Sequence, residues 1–444
     1  MQTRLKREEL IEHFREMIRL KTVSSKNLDE ETAREFARFR ELLKKSYPAV
    51  FGAAKWWRVG ELGVVIRIPG QSSDKPSVLM AHMDVVEADG SAWEHDPFAA
   101  DYENGRIYGR GTLDTKCTLC AVMEAAELCV RSGIVPKHDL YLAFGGEEEI
   151  SGKCCSGIVS FLEEKGVRPD FVLDEGGSLI PEGVPGVHAL CAMIGVAEKG
   201  TANYKITIRS GSGGHSSVPP RSTVSGRLAR AAVEIEENPF PARLSTASGK
   251  MFRELADQVP FFIKPVFLHP ELASPAIRCA GPILGNTFNA MVRTTAAVTM
   301  LNGSSSYNVL PESASMGVNV RLLEGDTKES AARYLKSVIS DPDAEVELVD
   351  GTDPTGISDT RCSAYRTLKA AIAGTWPGAV IAPYQMNGGT DARYYERLTD
   401  HIYRFSPMVM TKAERASVHG LNESISVDTL CRMAVFYIRL IKRL

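Results

Sequence analysis

The sequence contains no run of about 18 consecutive apolar residues, the length that a membrane-spanning helix needs. It also lacks a strong charge bias, because 52 Lys and Arg residues are balanced by 55 Asp and Glu residues, for a formal net charge of −3. Binding to nucleic acid or to an anionic membrane usually requires a basic excess, so neither partner is expected. Residues 1–20 lack the apolar core of a secretory signal and repeat apolar residues at helical spacing, which predicts a surface helix and a cytoplasmic protein.

The nine cysteines show no disulfide pattern. Their number is odd and most lie in apolar stretches, which indicates reduced thiols in a cytosol. Cys117 and Cys120 form a CxxC sequence, but no second CxxC follows, and the pair opens an apolar helical stretch. Packed helix cysteines are the favoured interpretation, and a thiol oxidoreductase is the rival one.

Strand-like and helix-like stretches alternate in the first part of the chain. This order is typical of an open α/β fold, with a mixed, largely parallel sheet and helices on both faces. The predicted strands lie at 63–70, 76–86, 138–146 and 170–177, and the predicted helices at 116–132 and 155–166.

From residue 199 the pattern changes to that of an α+β domain, with the order β-α-β-β-α-β. The predicted elements lie at 201–210, 222–236, 293–301, 313–322, 327–339 and 344–350. We therefore predict a discontinuous catalytic domain, 1–198 and 354–444, and an inserted domain, 199–353. The proline-containing stretch 238–288 is expected to contribute to substrate specificity.

Acidic and histidine side chains follow the predicted strands of the first domain, where the loops of a parallel sheet converge. His82 and Asp84 follow one strand, the triplet Glu147–Glu149 follows another, and Asp174–Glu175 follows a third. His82 alone could be a structural histidine, and Asp114 alone could cap the next helix. Three adjacent carboxylates at the end of a buried strand, however, indicate a neighbouring divalent cation. Histidine and carboxylate ligands without thiolate suit two catalytic Zn²⁺ ions, although Co²⁺ and Mn²⁺ can use the same ligands.

Eight short motifs together resemble those of one co-catalytic metallopeptidase family, which contains aminoacylase, carboxypeptidase S, glutamate carboxypeptidase and succinyl-diaminopimelate desuccinylase. Their spelling is closest to the carboxypeptidase S and aminoacylase branch. The motifs follow the family order, and they are HMD (82–84), GRGTLDTK (109–116), EEEISG (147–152), LDEGG (173–177), GGHSSVP (213–219), NVLP (308–311), GGTDAR (388–393) and HGLNESISV (419–427).

The resemblance implies a set of metal ligands. It assigns His82 to one metal and His419 to the other, with Asp114 bridging both and with a cis peptide bond after Asp114. Glu149 would bind the second metal. The remaining ligand of the first metal would be Glu175, with Asp174 as the alternative.

The resemblance also implies the catalytic and substrate-binding residues. Glu148 would be the general base, Asp84 would orient His82, and Glu147 would stand outside the site. His215 would donate to the scissile carbonyl, usually from the partner chain of a homodimer formed through the inserted domain. The remaining substrate contacts would be Asn308, Arg321 and Arg393. The other six histidines match no motif and are interpreted as structural or surface residues.

These assignments predict a hydrolase. The expected reaction is cleavage of an amide bond in short peptides or N-acyl amino acids with a free carboxylate, by a di-zinc-activated water with a Glu general base. A second hypothesis is a metal-dependent binding module without activity. Loss of a ligand or of the base would be the sign of that module, and this chain keeps all of them.

Overall fold

The computed structural model describes residues 5–181, 186–272 and 285–444. In chain order the strands are β1 Lys55–Val59, β2 Gly63–Ile68, β3 Ser72–His82, β4 Tyr102–Glu103, β5 Arg106–Tyr108, β6 His138–Gly145, β7 Phe171–Asp174, β8 Leu179–Ile180, β9 Cys191–Glu198, β10 Gly200–Arg209, β11 Gly214–His215, β12 Thr295–Asn302, β13 Val309–Leu310, β14 Ser313–Leu322, β15 Glu345–Thr352, β16 Val380–Met386, β17 Ile402–Arg404 and β18 Ser424–Ser426.

The α-helices of the described residues are α1 Arg7–Arg19, α2 Glu30–Ser46, α3 Pro48–Ala53, α4 Lys116–Arg131, α5 Cys154–Glu164, α6 Val224–Glu237, α7 Thr246–Leu255, α8 Lys264–Leu268, α9 Asn286–Met291, α10 Lys328–Val338, α11 Ser363–Thr375, α12 Lys412–Ser417 and α13 Val427–Ile441. The chain forms two compact units. Unit 1 contains Met1–Val196, Ile357–Tyr384 and Thr390–Leu444, and unit 2 contains Ala197–Gly356 and Gln385–Gly389. The sequence-based division had assigned the last of these segments to the catalytic domain.

Unit 1 is built on a nine-stranded mixed sheet with the order β1-β2-β6-β3-β7-β17-β9-β16, in which β8 also pairs with β9. The four central strands, β6, β3, β7 and β17, are parallel, whereas β1 and β2 and the β9 side are antiparallel. The predicted mixed, largely parallel α/β sheet is therefore confirmed. The carboxyl ends of β6, β3 and β7 meet at one edge of the sheet.

Both faces of this sheet are covered. Successive side chains of a strand point to opposite faces, yet Val78, Leu79, Met80 and Ala81 of β3 are all buried. Val78 and Met80 of β3, with Tyr141 and Ala143 of β6, pack against α5 in one core cluster. The residues between them in each strand point to the opposite face of the sheet.

Unit 2 contains an antiparallel four-stranded sheet with the order β12-β14-β10-β15. One face is apolar because every second residue of β10, from Ala202 to Ile208, is buried. Helix α6 packs on that face through Val224, Leu228, Ala231 and Ile235, which recur at helical spacing. Apart from the helices α7 to α9, which lie between α6 and β12, and the two-residue strands β11 and β13, the chain order is the predicted β-α-β-β-α-β.

The predicted amphipathic N-terminal helix is α1, with Leu10, Ile11, Phe14, Met17 and Ile18 buried. Among the described residues, no helix combines the length and apolar character needed to cross a bilayer. Part of the 238–288 stretch associated with specificity falls in 273–284, outside the described residues.

Candidate active site

Two imidazoles and three carboxylates of unit 1 form two groups that share one residue. His82 Nε2 lies 3.0 Å from Asp114 Oδ1 and 3.1 Å from Glu175 Oε1. His419 Nε2 lies 3.1 Å from Asp114 Oδ2 and 3.0 Å from Glu149 Oε2. We call the two groups trios: the first is His82, Asp114 and Glu175, and the second is Asp114, Glu149 and His419. In each trio the ligand atoms lie within 4.8 Å of one another. The two oxygens of Asp114 thus point to different histidines, which is the arrangement a carboxylate needs to bridge two metal ions.

The first trio forms because two neighbouring parallel strands, β3 and β7, end at one edge of the sheet, and Asp114 reaches that edge from the loop between β5 and α4. His82 is the last residue of β3, and Glu175 follows the end of β7. His82 Nδ1 lies 2.9 Å from the backbone carbonyl of Asp84 and 3.4 Å from its carboxylate. Since Nδ1–H donates to that carbonyl, Nε2 keeps its lone pair for a ligand role. The backbone of Asp84, more than its carboxylate, therefore orients His82.

The carboxylate of Asp84 instead holds the acidic triplet. It accepts the backbone N–H groups of Glu148 (3.3 Å) and Glu149 (3.1 Å) and is fully buried. The Glu147 carboxylate turns the other way and accepts the N–H groups of Lys153 (3.0 Å) and Cys154 (2.8 Å) at the start of α5. The three adjacent carboxylates thus have three different environments: Glu149 in a trio, Glu148 beside it, and Glu147 at a helix N-terminus.

Asp114 is held in place by Glu423, a residue to which sequence analysis gave no role. The buried carboxylate of Glu423 accepts the backbone N–H of Leu113 (2.6 Å), Gly111 (3.2 Å) and Asp114 (3.3 Å), and it pairs with Arg110 at 2.8 Å. The two segments meet because Glu423 directly precedes β18, which pairs with β5 just before this loop. The peptide bond after Asp114 is cis, as the resemblance implies. The sequence signal that could have pointed to Glu423 is its place as the acidic residue of the HGLNESISV motif.

Replacing Glu423 with glutamine is expected to lower zinc affinity by roughly 10- to 100-fold, the usual effect of removing a partner that orients a metal ligand. Glutamine keeps the shape, but its amide nitrogen would meet a backbone N–H or the Arg110 guanidinium, and both are donors. Zinc titration of the metal-free protein measures this effect. Glu103→Gln on β4 of the same small sheet, 62% exposed, is the matched control. Unchanged affinity in the Glu423 variant would remove Glu423 from this role.

The electrostatics of the site fit bound cations. Burial raises the pKa of Glu175 to about 8 and that of Glu148 well above its usual value, and neighbouring carboxylates add to both shifts. The hydrogen bond with Asp114 raises the pKa of His419 to about 10. Glu149, whose side chain is 3% exposed, has a buried Oε1 without a hydrogen-bond partner among the described residues. Divalent cations would neutralise the negative charge of these clustered carboxylates, so the donor set fits two such ions.

Unit 1 has two further buried carboxylates that belong to neither trio, Asp174 and Asp391. Asp174 Oδ2 accepts the N–H of Ala392 at 3.0 Å, and Glu175, not Asp174, completes the first trio with His82 and Asp114. Burial, together with the charges of Asp174 and Asp84, raises the pKa of Asp391 to about 7. Asp391 lies in the GGTDAR motif, where sequence analysis had singled out only Arg393.

In unit 2, His215 and Asn308 lie on one short antiparallel ribbon, formed by β11 and β13. Ser216 N–H donates to the Asn308 carbonyl at 3.0 Å, and both His215 and Asn308 are exposed. Ser217 N–H donates to His215 Nδ1 at 3.2 Å. A neutral ring with Nδ1 as acceptor carries its proton on Nε2, which is the form able to donate to a carbonyl oxygen.

The two arginines predicted to contact the substrate carboxylate lie in different units. Arg321, on β14 of unit 2, donates to Thr201 Oγ1 at 2.9 Å, and burial lowers its pKa. Arg393, in unit 1, lies on the short 3₁₀-helix Asp391–Arg397, with its guanidinium 5.0 Å from the Tyr394 ring centre. Their proposed contacts with substrate stay predictions.

The two CxxC cysteines are part of α4. Cys117 and Cys120 are fully buried, and burial raises the pKa of each thiol. A redox thiol needs an accessible thiolate, so this environment favours the interpretation as packed helix residues.

Comparison with known proteins identifies the family of the chain. The profile of "Peptidase family M20/M25/M40" matches residues 78–443. The chain is 33% identical over 442 residues to the N-fatty-acyl-amino acid synthase/hydrolase PM20D1 of Xenopus tropicalis, which covers 98% of this chain and 86% of the relative. It is 30% identical over 446 residues to the probable carboxypeptidase S-like 2 of Dictyostelium discoideum, covering 98% and 85%.

Solved structures share the fold. The M20 family metallo-carboxypeptidase Sso-CP2 from Sulfolobus solfataricus superposes with a TM-score of 0.70 at 19% identity, over 98% of both chains. Human carnosine dipeptidase 1 gives a TM-score of 0.66 at 14% identity, over 98% of this chain and 96% of that one. The profile match and the relatives together show that this chain belongs to peptidase family M20/M25/M40 and is a hydrolytic enzyme.

Proposed function

We propose that this enzyme hydrolyses the amide bond of N-acyl amino acids or short peptides that carry a free carboxylate, with two divalent cations at the trios. The observation that carries the proposal is Asp114, whose two oxygens each lie about one hydrogen-bond length from a different histidine, at 3.0 and 3.1 Å. The donors are imidazole and carboxylate without sulfur, which favours zinc and also accommodates Co²⁺ or Mn²⁺.

The cations, when bound, would polarise the scissile carbonyl and lower the pKa of a water molecule. Glu148 stands beside both trios and belongs to neither, so its carboxylate is available to take the proton from the attacking water. It would then pass that proton to the leaving amine nitrogen. Asp84 fixes the backbone of Glu148 and Glu149 because its carboxylate accepts both of their backbone N–H groups.

His215 and Asn308 are proposed as donors to the developing oxyanion, and Arg321 or Arg393 as contacts of the substrate carboxylate. The support for His215 is that Nδ1 accepts the Ser217 N–H, which leaves Nε2 to carry the proton of a neutral ring. A homodimer formed through the inserted domain and a cytoplasmic location remain predictions that rest on the resemblance and on the sequence.

A panel of matched substrates tests the function. We expect the zinc-loaded enzyme to cleave N-fatty-acyl amino acids, N-acetyl amino acids or dipeptides, and a chelator to abolish cleavage. Replacing the free carboxylate with a carboxamide should lower kcat/KM by roughly 10- to 100-fold, since a hydrogen bond to a charged group contributes about 1.5–3 kcal/mol. Equal cleavage of acids and carboxamides would contradict the carboxylate contact.

The same panel separates the rival functions. Binding without turnover, in zinc-, cobalt- and manganese-loaded protein alike, would indicate a binding module. Activity that resists chelators and is destroyed by thiol alkylation would indicate chemistry at a cysteine.

A further inference from the structure

A third group of ligand-type side chains lies in unit 1, apart from the two trios. It consists of Asp359, Cys362 and His401, whose ligand atoms lie within 4.8 Å of one another. Two of the three come from the segment on which the chain re-enters unit 1, and His401 directly precedes β17. Sequence analysis interpreted His401 as a structural or surface residue and gave Cys362 no role.

Hydrogen bonds hold these two segments together without any ion. Ser358 Oγ donates to the Ile402 carbonyl at 2.6 Å and accepts the Ile402 N–H at 3.1 Å. The Tyr403 hydroxyl donates to the Asp359 carbonyl at 2.6 Å and lies 3.1 Å from Cys362 Sγ. Ser358 and Tyr403 are buried, so the backbone that presents the three side chains is fixed in advance.

The imidazole of His401 is oriented as a metal ligand usually is. Its Nδ1 lies 3.0 Å from the Asp170 backbone carbonyl and 3.5 Å from that residue's carboxylate. Since Nδ1–H donates to the carbonyl, the lone pair is on Nε2, as in a histidine whose second nitrogen is fixed by a backbone acceptor. The side chain is 26% exposed, which leaves a route for an ion. Arg361 pairs with Asp359 at 3.9 Å, and its 94% exposed side chain can move into solvent.

We propose that Asp359, Cys362 and His401 form a third metal site, for a borderline divalent cation such as Zn²⁺. One thiolate, one imidazole and one carboxylate are a donor set that zinc takes readily, whereas Ca²⁺ and Mg²⁺ prefer oxygen alone. Binding would release the thiol proton of Cys362 to solvent, so the affinity should rise with pH.

The site is separate from the two trios. Asp170 stands at the amino end of β7 and Glu175 follows its carboxyl end, five residues later, which is roughly 16 Å at about 3.3 Å per residue. An ion there would not touch the substrate. It would cross-link the re-entering segment to β17, the strand that pairs with β7, and so stabilise unit 1.

Cobalt provides a test that does not depend on the proposed catalytic function, because no member of the two trios is a cysteine. Metal-free protein titrated with Co²⁺ should develop a thiolate-to-cobalt charge-transfer band in the near ultraviolet that is complete by three equivalents, with an intensity that corresponds to one thiolate-bound cobalt per chain. Cys362→Ser should abolish this band and bind one equivalent of metal less than the wild type. His401→Gln should weaken the affinity reported by the band at least about tenfold.

Cys431→Ser, which changes another half-buried cysteine on α13, is the matched control and should keep the band. A wild-type protein without a thiolate band at three equivalents of Co²⁺ would overturn the proposal, and so would a band that survives Cys362→Ser. The wild-type measurement decides even if a variant fails to fold. A wild-type protein that shows the thiolate band but hydrolyses none of the substrates would contradict the proposed function and would still support the third metal site.

Discussion

Replacing Glu148 with glutamine is expected to lower kcat by about 10⁴-fold, the upper end of what a positioned general base contributes, while the zinc content stays that of the wild type. The amide is nearly the same size but cannot accept a proton from water. Zinc content should hold because Glu148 is in neither trio, and its backbone N–H contact with Asp84 does not involve the changed side chain. Steady-state kinetics and metal analysis of the same preparation measure both quantities.

Glu147→Gln is the matched control, one residue away in the same triplet. Its amide oxygen can still accept the backbone N–H groups of Lys153 and Cys154, so kcat should remain close to the wild type. Loss of the negative charge at the N-terminus of α5 should cost about 0.3–1 kcal/mol of stability. If Glu147→Gln is inactive and Glu148→Gln turns over normally, the general base has been assigned one residue out of register.

Much of the fold was predictable because local patterns and tertiary packing agree. The run before His82 is apolar on both faces, as a central parallel strand must be, and β10 alternates, as a half-buried antiparallel strand does. The elements of the inserted domain were predicted in their observed order for the same reason. Unit 2 also includes Gln385–Gly389, and no local pattern in the sequence shows that this short segment belongs with unit 2.

The site was predictable to the extent that its residues lie in recognisable motifs. His82, Asp114, Glu149, Glu175 and His419 were each assigned to a metal by resemblance, and the structure brings them together. The choice between Asp174 and Glu175 could not be made from sequence. It depends on the direction in which each side chain leaves the end of β7.

The positioning residues were harder to see. Glu423 accepts hydrogen bonds from the backbone of a loop that lies 309 to 312 residues earlier in the sequence. Nothing in the local sequence shows that contact. The same is true of Asp84, whose carboxylate orients the acidic triplet although its spacing from His82 indicated a histidine partner. Every residue except proline has a backbone N–H group, so the sequence does not show which of these groups a given carboxylate will bind.

Replacing Asp114 with alanine should cause the largest loss of metal, because this residue belongs to both trios. We expect at least one equivalent of zinc less than in the wild type, and a loss of activity no smaller than that of Glu148→Gln. Zinc should also stabilise the variant far less. A ligand at 100 times its Kd adds about 2.7 kcal/mol of stability, and that contribution falls when the affinity does.

Metal analysis and thermal unfolding with and without zinc measure these effects together. Asp428→Ala is the matched control, since its side chain is 81% exposed at the start of α13 and pairs only with Arg7 among the ion pairs of the described residues. It should retain the zinc content, the zinc-dependent rise in Tm and the kcat of the wild type. If Asp114→Ala also retains all three, Asp114 does not bridge two metals. The short distances from its oxygens to His82 and His419 would then be structural ion pairs, and the proposed di-metal mechanism would fail with them.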